Sequence, residues 1–181
     1  MNIVKNHLGI EPIFVLDPTL LIDKKHYLNI IKDYRQNNLI KGKKYIFTYI
    51  FRKEKNTKQF IKDASERLGY KVYAVRLGDR NSIKKFIYGI VNCNAVITNS
   101  FHGTIFSIIF RKPFVTFLFK GSPRERLLSL KNSLQIKGRI FEYNQLPDIK
   151  LLTTPLEVNN NLLHILRNKS LNFLKKNLGI I

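Results

Sequence analysis

Residues 94–110 read NAVITNSFHGTIFSIIF, and this stretch decides the fold. Residues 95–98 are rich in β-branched side chains and predict a strand, whereas the apolar run 102–110 is long enough for about two and a half helical turns. In an α/β sheet, the turn that leaves the carboxyl end of a strand faces the ligand crevice, where the next helix presents N–H groups without intrahelical partners. We therefore expect His102 to lie beside an anion-binding site.

Strand and helix patterns alternate along the rest of the chain. The predicted strands are 13–16, 45–51, 71–75, 95–98 and 114–119, with a short one at 139–143. The predicted helices are 3–8, 24–36, 56–68, 82–91, 102–110, 124–134 and 156–178. Strands that alternate with helices of this length imply right-handed βαβ units. The sequence thus predicts an α/β protein with a Rossmann-like parallel sheet of about five strands and flanking helices.

The length of 181 residues and the hydrophobic fraction of 44% fit one domain with a packed core. Residues 1–10 look like the end of a preceding region that is missing from this chain, because a short apolar segment there closes at Gly9 as a helix would. We expect residues 11–181 to form the Rossmann-like domain.

The chain is strongly basic, with 32 Lys and Arg against 12 Asp and Glu and a net charge of +20. Such a surface attracts phosphorylated metabolites, anionic lipid headgroups or nucleic acid, although a lysine-rich solvated surface explains the charge equally well. The basic residues spread from Lys5 to Lys176 and form no separate arm, which argues against nucleic acid as the partner.

A single cysteine, Cys93, excludes an internal disulfide and a Cys-based zinc site, and we expect it to be a small core residue. No apolar run approaches the roughly 20 residues of a membrane span, and the first residues lack the apolar segment of a signal peptide. These features predict a cytoplasmic protein. The charge is compatible with peripheral contact at the anionic inner face of the membrane.

Several familiar catalytic motifs are absent from the sequence. There is no G-x-G-x-x-G after the first strands, no P-loop, no His/Asp/Glu cluster at metal spacing, and Ser100 is not in a G-x-S-x-G elbow. Dinucleotide binding, P-loop phosphoryl transfer and a hydrolase triad therefore lose support. We predict neither a cofactor nor a metal.

His102 remains the principal candidate for chemistry. Its position favours a general acid/base or a phosphate contact, while a ring that only braces the turn is the plain alternative. Gly103 would let backbone approach a ligand or simply allow tight helix packing, and Asn99 and Ser100 could equally cap the helix. We take these three residues and Thr104 as candidate substrate-binding residues. The turn alone is compatible with both a ligand-binding role and a purely structural role.

The same region resembles a known family. Residues 95–104, AVITNSFHGT, with 106–108 and 112–115, are similar to the signature region of the polysaccharide pyruvyl transferases. Further pieces match that family in order: VLDPTLL at 15–21, SIKKFI at 82–87, Gly121 and Ser122 with RLLSL at 126–130, and KSLNFL at 169–174. The resemblance spans roughly residues 10–176 and corresponds to the second half of a typical family member.

This resemblance implies a fold of two facing Rossmann-like halves, similar to the GT-B glycosyltransferases, of which this chain is one half. It implies an enzyme that transfers the enolpyruvyl unit of phosphoenolpyruvate to two hydroxyls of a sugar or a lipid-linked oligosaccharide in capsule, lipopolysaccharide or exopolysaccharide synthesis. The product is a cyclic ketal, and phosphate is released. A separate N-terminal half would be a further partner and would bind much of the acceptor.

The resemblance also assigns roles to residues. His102 occupies the position of the motif histidine, for which the resemblance implies an acid/base or phosphate-binding role. Arg126 matches an arginine that follows a Gly-Ser turn in the family, and Gly121 and Ser122 form that turn in this sequence. A guanidinium suits a carboxylate or phosphate, although an exposed helix arginine is the plain alternative. Arg52, after a predicted strand, is a weaker candidate because it lies in a basic loop.

Two departures from the family pattern matter: this chain matches only the second half of a typical member, and one position of the motif differs. Some characterised members carry an arginine two positions before the motif histidine, where this chain has Ser100, so one cation expected beside phosphoenolpyruvate is missing. Two other functions stay open: a glycosyltransferase of similar fold that uses a nucleotide sugar, and a non-catalytic basic domain that binds polyanions or a membrane surface.

Overall fold

A computed structural model describes residues 2–34, 42–52, 54–76, 78–79, 82–119 and 124–180. The chain divides into two compact units, one formed by Met1–Ile22 with Asn160–Ile181 and the other by Asp23–Asn159. The predicted division into residues 1–10 and 11–181 stays a prediction.

The larger unit contains a sheet of five parallel strands. These are β1 Tyr45–Tyr49, β2 Lys71–Ala74, β3 Ala95–Thr98, β4 Phe114–Phe117 and β5 Ile140–Phe141. Their spatial order is β2-β1-β3-β4-β5, and every neighbouring pair is parallel. The chain runs from β1 outward to β2 and then crosses β1 to reach β3, so its direction of winding reverses between β1 and β3. In open parallel sheets, ligands bind at such a switch point, beyond the carboxyl ends of the strands.

The helices are α1 Asn2–Leu8, α2 Pro18–Leu21, α3 Lys24–Ile30, α4 Lys55–Leu68, α5 Ser82–Asn92, α6 Phe101–Ile109, α7 Arg124–Ser133 and α8 Asn160–Asn177, with a 3₁₀ turn at Ile149–Leu152. The predicted Rossmann-like α/β fold is confirmed. The helix predicted over 24–36 is shorter, because α3 ends at Ile30, and residues 35 and 36 lie outside the described part. Among the described residues, no helix has both the length and the apolar character required to cross a membrane.

Each face of the sheet has a different kind of core. On one face, Phe60 of α4 packs edge to face on Phe117 of β4, 5.5 Å between ring centroids, within an otherwise mainly aliphatic cluster. On the other face, Phe86 of α5 contacts Phe47 of β1 at 5.7 Å and Phe106 of α6 at 5.4 Å. Such ring pairs stabilise a core by about 0.5–1.5 kcal/mol beyond burial alone. The two cores hold α4, α5 and α6 firmly against the strands that lead to the candidate site.

The strand predicted at 13–16 is wrong. The segment precedes α2 and pairs with α8 in the smaller unit: the Leu16 N–H donates to Ser170 Oγ at 2.9 Å. Arg167 of the same helix donates from Nε to the carbonyl of Leu20 at 2.8 Å. Side chains of α8 therefore bond to the backbone at the end of this segment and in α2. Periodicity alone cannot distinguish a short apolar strand from such an extended connection.

Cys93 is the small core residue that the sequence predicts. Its side chain is buried, and its thiol donates to the carbonyl of Ile90 at 3.2 Å. Burial raises the pKa of the Cys93 thiol to about 12, so the reactive thiolate is scarce at neutral pH.

Candidate functional site

Among the residues that the structure describes, the turn between β3 and α6 leaves two backbone N–H groups without a partner at the start of the helix. Ser100 is the N-cap residue, and its Oγ accepts a hydrogen bond from the N–H of Gly103 at 3.2 Å. The N–H of Ser100 itself donates to Thr98 Oγ1 at 3.1 Å. Of the first four N–H groups of a helix, which lack intrahelical partners, those of Phe101 and His102 therefore remain. The positive end of the α6 dipole lies at the same place and favours an anion.

Asn99 joins the two loops at the switch point. Its side chain is buried, Oδ1 accepts from the N–H of Phe51 at 2.8 Å, and Nδ2 donates to the carbonyl of Arg52 at 2.8 Å. Thr98 makes a second link, because its Oγ1 donates to the carbonyl of Tyr49 at 2.7 Å. The loop after β1 is thus fixed against the loop after β3, and sequence reasoning missed this role because it considered Asn99 only as a cap or a ligand contact.

The start of α6 lies very close to the end of β3. A Cβ atom on Gly103 would lie 2.3 Å from Oγ1 and 3.0 Å from Cβ of Thr98, closer than side chains tolerate. One turn further on, Thr104 is buried and its hydroxyl bonds to the carbonyl of Ser100 at 2.9 Å and to the Thr116 hydroxyl at 2.8 Å. These contacts tie α6 to β3 and β4 and set the position of the helix start.

Replacement of Gly103 by alanine should destabilise the protein by about 1–3 kcal/mol, the usual cost of overpacking a core. The new methyl group would displace Thr98 and break the hydrogen bonds that hold the turn. Urea unfolding followed by circular dichroism measures the effect, with Ser129→Ala, an exposed change on α7, as the control. The cost should be smaller in a Thr98→Ala background, and an equal cost in both backgrounds would contradict this explanation.

His102 and Arg126 are brought together by one aromatic ring. His102 is exposed at the start of α6, and its ring lies edge to face with Phe101 at 5.5 Å between centroids. The guanidinium carbon of Arg126, in the first turn of α7, lies 4.0 Å from the centroid of the same Phe101 ring. A cation over an aromatic face is attracted by the ring quadrupole, so Phe101 holds Arg126 near the histidine. Two residues predicted from distant parts of the sequence therefore share one surface.

The structure describes only some of the remaining predicted site residues. Arg52 is exposed in the loop after β1, where its carbonyl is held by Asn99. Gly121 and Ser122 lie outside the described residues. Substrate-binding roles for all of these residues, and for Asn99, Ser100, Gly103 and Thr104, stay predictions.

Ser100 is the residue at which the resemblance predicts an arginine in some members of that family. Here the side chain is buried and engaged as the helix cap, an environment that has no room for a guanidinium without a different turn. In the described part of this region, Arg126 brings a guanidinium from α7 to the ring of Phe101, the residue after Ser100.

Phe51 is a surface feature that sequence reasoning did not identify. All thirteen phenylalanines lie among the described residues, and Phe51 alone is exposed, at 53%. Its ring packs edge to face on Tyr49 at 5.0 Å, and its N–H is fixed by Asn99. The only hint in the sequence was an aromatic residue at the end of a buried strand, beside Arg52.

Within the described residues, no three His, Cys, Asp or Glu side chains come together in a way that could hold a metal ion.

Comparison with known proteins places the chain in a family. The family model described as "Polysaccharide pyruvyl transferase" matches residues 1–119, which include β1 to β4, the β3–α6 turn and His102. Arg126 and the segment 169–174 lie beyond the match, so their correspondence to the family stays a prediction. No curated protein and no solved structure matches the chain. Because the matched residues make up well over half of the 181, this chain belongs to the polysaccharide pyruvyl transferase family.

Proposed function

We propose that this chain binds phosphoenolpyruvate and takes part in its transfer, as a pyruvate ketal, to a sugar of a surface polysaccharide. The observation that carries the proposal is the arrangement of His102 and Arg126 around Phe101, beside the open N–H groups of α6. An acid/base group, a cation and an anion-binding helix start then occupy one surface at the switch point of the sheet. The family supports a transferase with a sugar or polysaccharide acceptor.

The two anionic groups of the donor have separate partners in this proposal. The N–H groups of Phe101 and His102 receive the phosphate, as a helix start commonly does. The guanidinium of Arg126 receives the carboxylate, for which a planar two-pronged donor is suited. Arg52 follows β1 at the same edge of the sheet and adds positive charge to the approach.

The reaction needs protons to be moved at two places. A proton is added to the methylene carbon of phosphoenolpyruvate, which becomes the methyl group of the ketal, and the adjacent carbon bonds to the first sugar hydroxyl oxygen. The bond from that carbon to the phosphate oxygen then breaks, and the second hydroxyl oxygen takes its place. One hydroxyl proton replaces the one used on the methyl group, and the other leaves on the phosphate. We assign these proton transfers to His102, because an imidazole can act both as a general acid and as a general base.

Phe51 offers a surface for the acceptor in the same proposal. Sugars present C–H groups on one face of the ring, and these pack against the negative face of an exposed aromatic side chain. Phe51 lies at the end of β1, next to the strand that leads to His102, and Asn99 fixes its backbone. A second Rossmann-like half would supply the rest of the acceptor site. We place the reaction in the cytoplasm, and the net charge of +20 suits a peripheral contact with an anionic membrane surface.

Calorimetric titration with phosphoenolpyruvate tests the donor site. Arg126→Ala is expected to weaken binding about 10- to 100-fold, because charge-assisted hydrogen bonds to an anion typically contribute about 1.5–3 kcal/mol. Arg124→Ala is the matched control: this arginine is on the same helix, its guanidinium is paired with Glu142 at 2.6 Å, and it has no part in the proposed donor site, so its loss should leave the affinity nearly unchanged.

Two results would count against the proposal. Equal affinity of the wild type, Arg126→Ala and His102→Ala proteins for phosphoenolpyruvate would remove the donor site. Stronger thermal protection by a nucleoside diphosphate than by phosphoenolpyruvate would instead favour a glycosyltransferase.

A further inference from the structure

A concave site that His102 does not line lies on the α4 side of β1. It is a cavity of about 210 Å³ between β1, β2 and α4. Residues from all three elements line it, and it opens to solvent along the edge strand β2, where Val72 is 43% exposed. A closed apolar cavity of about 150 Å³ is enough to hold benzene, so this one has room for a single ring with a small substituent.

The wall of the cavity is mostly apolar but contains two buried hydroxyl groups. The apolar lining comes from Ile50, Ile61, Val72, Ala74 and Val75. Thr48 and Thr57 complete the wall and are only 4% and 1% exposed. Neither hydroxyl has a hydrogen-bond partner among the residues that the structure describes. A threonine hydroxyl can both donate and accept hydrogen bonds, so these two groups could bond to a polar atom of a ligand inside the cavity.

Two cations line the same cavity. Lys58 projects from α4 and Arg76 follows β2, and both are exposed to solvent. In the described part of the chain, neither forms an ion pair. The nearby carboxylate of Asp79 accepts a hydrogen bond from the backbone N–H of Arg76 at 3.1 Å. The cavity thus combines an apolar interior, buried hydroxyls and two positive charges.

We propose that this cavity binds a small organic phosphate monoester with a compact apolar body, such as a single ring. The apolar wall would take the ring, the two threonines would bond to polar atoms on it, and Lys58 with Arg76 would hold the phosphate. Two cations suit a doubly charged phosphate better than a single carboxylate. Phosphoenolpyruvate is a poor fit, because its small body carries a second negative group in place of a ring. The site is therefore separate from the proposed donor site and goes beyond the proposed function.

Titration of the whole chain with phenyl phosphate, inorganic phosphate and benzyl alcohol tests this inference. Phenyl phosphate should bind at least about tenfold more tightly than either of the other two probes, because only it uses both the wall and the cations. Ala74→Phe, which fills the cavity from an exposed edge position, should weaken phenyl phosphate binding at least about tenfold. Lys58→Glu should also weaken phenyl phosphate binding at least about tenfold, because it reverses one of the two charges that hold the phosphate.

Control variants distinguish binding in this cavity from nonspecific attraction to a basic surface and from binding at the proposed donor site. Lys55→Glu changes a lysine of the same helix that does not line the cavity and should leave binding within about twofold. Arg126→Ala, which removes the cation of the proposed donor site, should also leave phenyl phosphate binding within about twofold. Equal binding of phenyl phosphate and inorganic phosphate would overturn the inference, as would equal losses in Lys55→Glu and Lys58→Glu. Because Lys58 is exposed, its substitution keeps the test valid even if Ala74→Phe impairs folding.

Discussion

Replacing His102 by alanine is expected to lower pyruvyl transfer about 10²- to 10⁴-fold, the usual contribution of a positioned acid/base group. The imidazole is the exposed group at the start of α6, where it can reach a ligand, and Phe101 orients its ring. Phosphoenolpyruvate affinity should fall less than turnover, since the helix N–H groups and Arg126 remain. The measurement is the rate of phosphate release from phosphoenolpyruvate in the presence of a sugar acceptor, together with the donor dissociation constant.

A matched control separates catalysis from general effects of losing a histidine. His164 is exposed on α8 and bonds to the side chain of Asn168 at 3.0 Å, so His164→Ala should leave turnover within about twofold. His102→Ala should also unfold at the same urea concentration as the wild type, because its ring is exposed. Unchanged phosphate release in a correctly folded His102→Ala protein would remove the histidine from the mechanism.

The fold could be predicted from the sequence where the local residue pattern alone determines which element forms. The run 95–110 contains a β-branched strand, a polar turn and an apolar helix, and β3 and α6 are found there within about one residue of the expected bounds. The pattern at 13–16 is similar in composition, but that segment bonds to Ser170 from the far end of the chain. Such a partner cannot be inferred from neighbouring residues. The strand order β2-β1-β3-β4-β5 could not be predicted either, because right-handed crossovers are compatible with several orders.

Some features of the candidate site could likewise be predicted from the sequence, and others could not. His102 was singled out by its place after a strand and before an apolar helix, and Arg126 by resemblance to a family. Their association depends on Phe101, which contacts the neighbouring His102 ring within α6 and the Arg126 guanidinium from α7. The double hydrogen bond of Asn99 to the loop after β1 and the exposure of Phe51 also arise from tertiary structure. The cavity beside α4 is formed by three elements and has no continuous sequence signal.

Arg139 shows how a cation can be structural even in this basic chain. Its side chain is only 5% exposed and lies just before β5. The guanidinium donates to four backbone carbonyls: Phe114 at 3.4 Å, Leu151, Thr154 at 2.6 Å and Pro155 at 3.2 Å. Burial lowers the pKa of Arg139, but the carbonyl oxygens supply the negative ends of dipoles that compensate the charge.

Arg139→Met is expected to destabilise the protein by about 2–4 kcal/mol, because several partly buried carbonyls lose their donors at once. Arg139→Lys should lower the free energy of unfolding by an intermediate amount, since a single ammonium group cannot reach all the carbonyls that the two guanidinium nitrogens contact. Chemical unfolding followed by circular dichroism measures the free energy of unfolding. Lys137→Met, an exposed cation two residues earlier, is the control and should change it by less than about 0.5 kcal/mol.

The order of these three effects is what distinguishes a structural guanidinium from a functional one. A structural role requires Arg139→Met to cost more than Arg139→Lys, and both to cost more than Lys137→Met, with phosphoenolpyruvate affinity unchanged in the folded fraction. Arg139 lies before β5, at the amino end of a strand, whereas the proposed donor site lies beyond the carboxyl ends of the strands. A loss of donor affinity in Arg139→Met without loss of stability would therefore contradict the assignment of the donor to the His102 surface, because Arg139 would then be the cation that receives it.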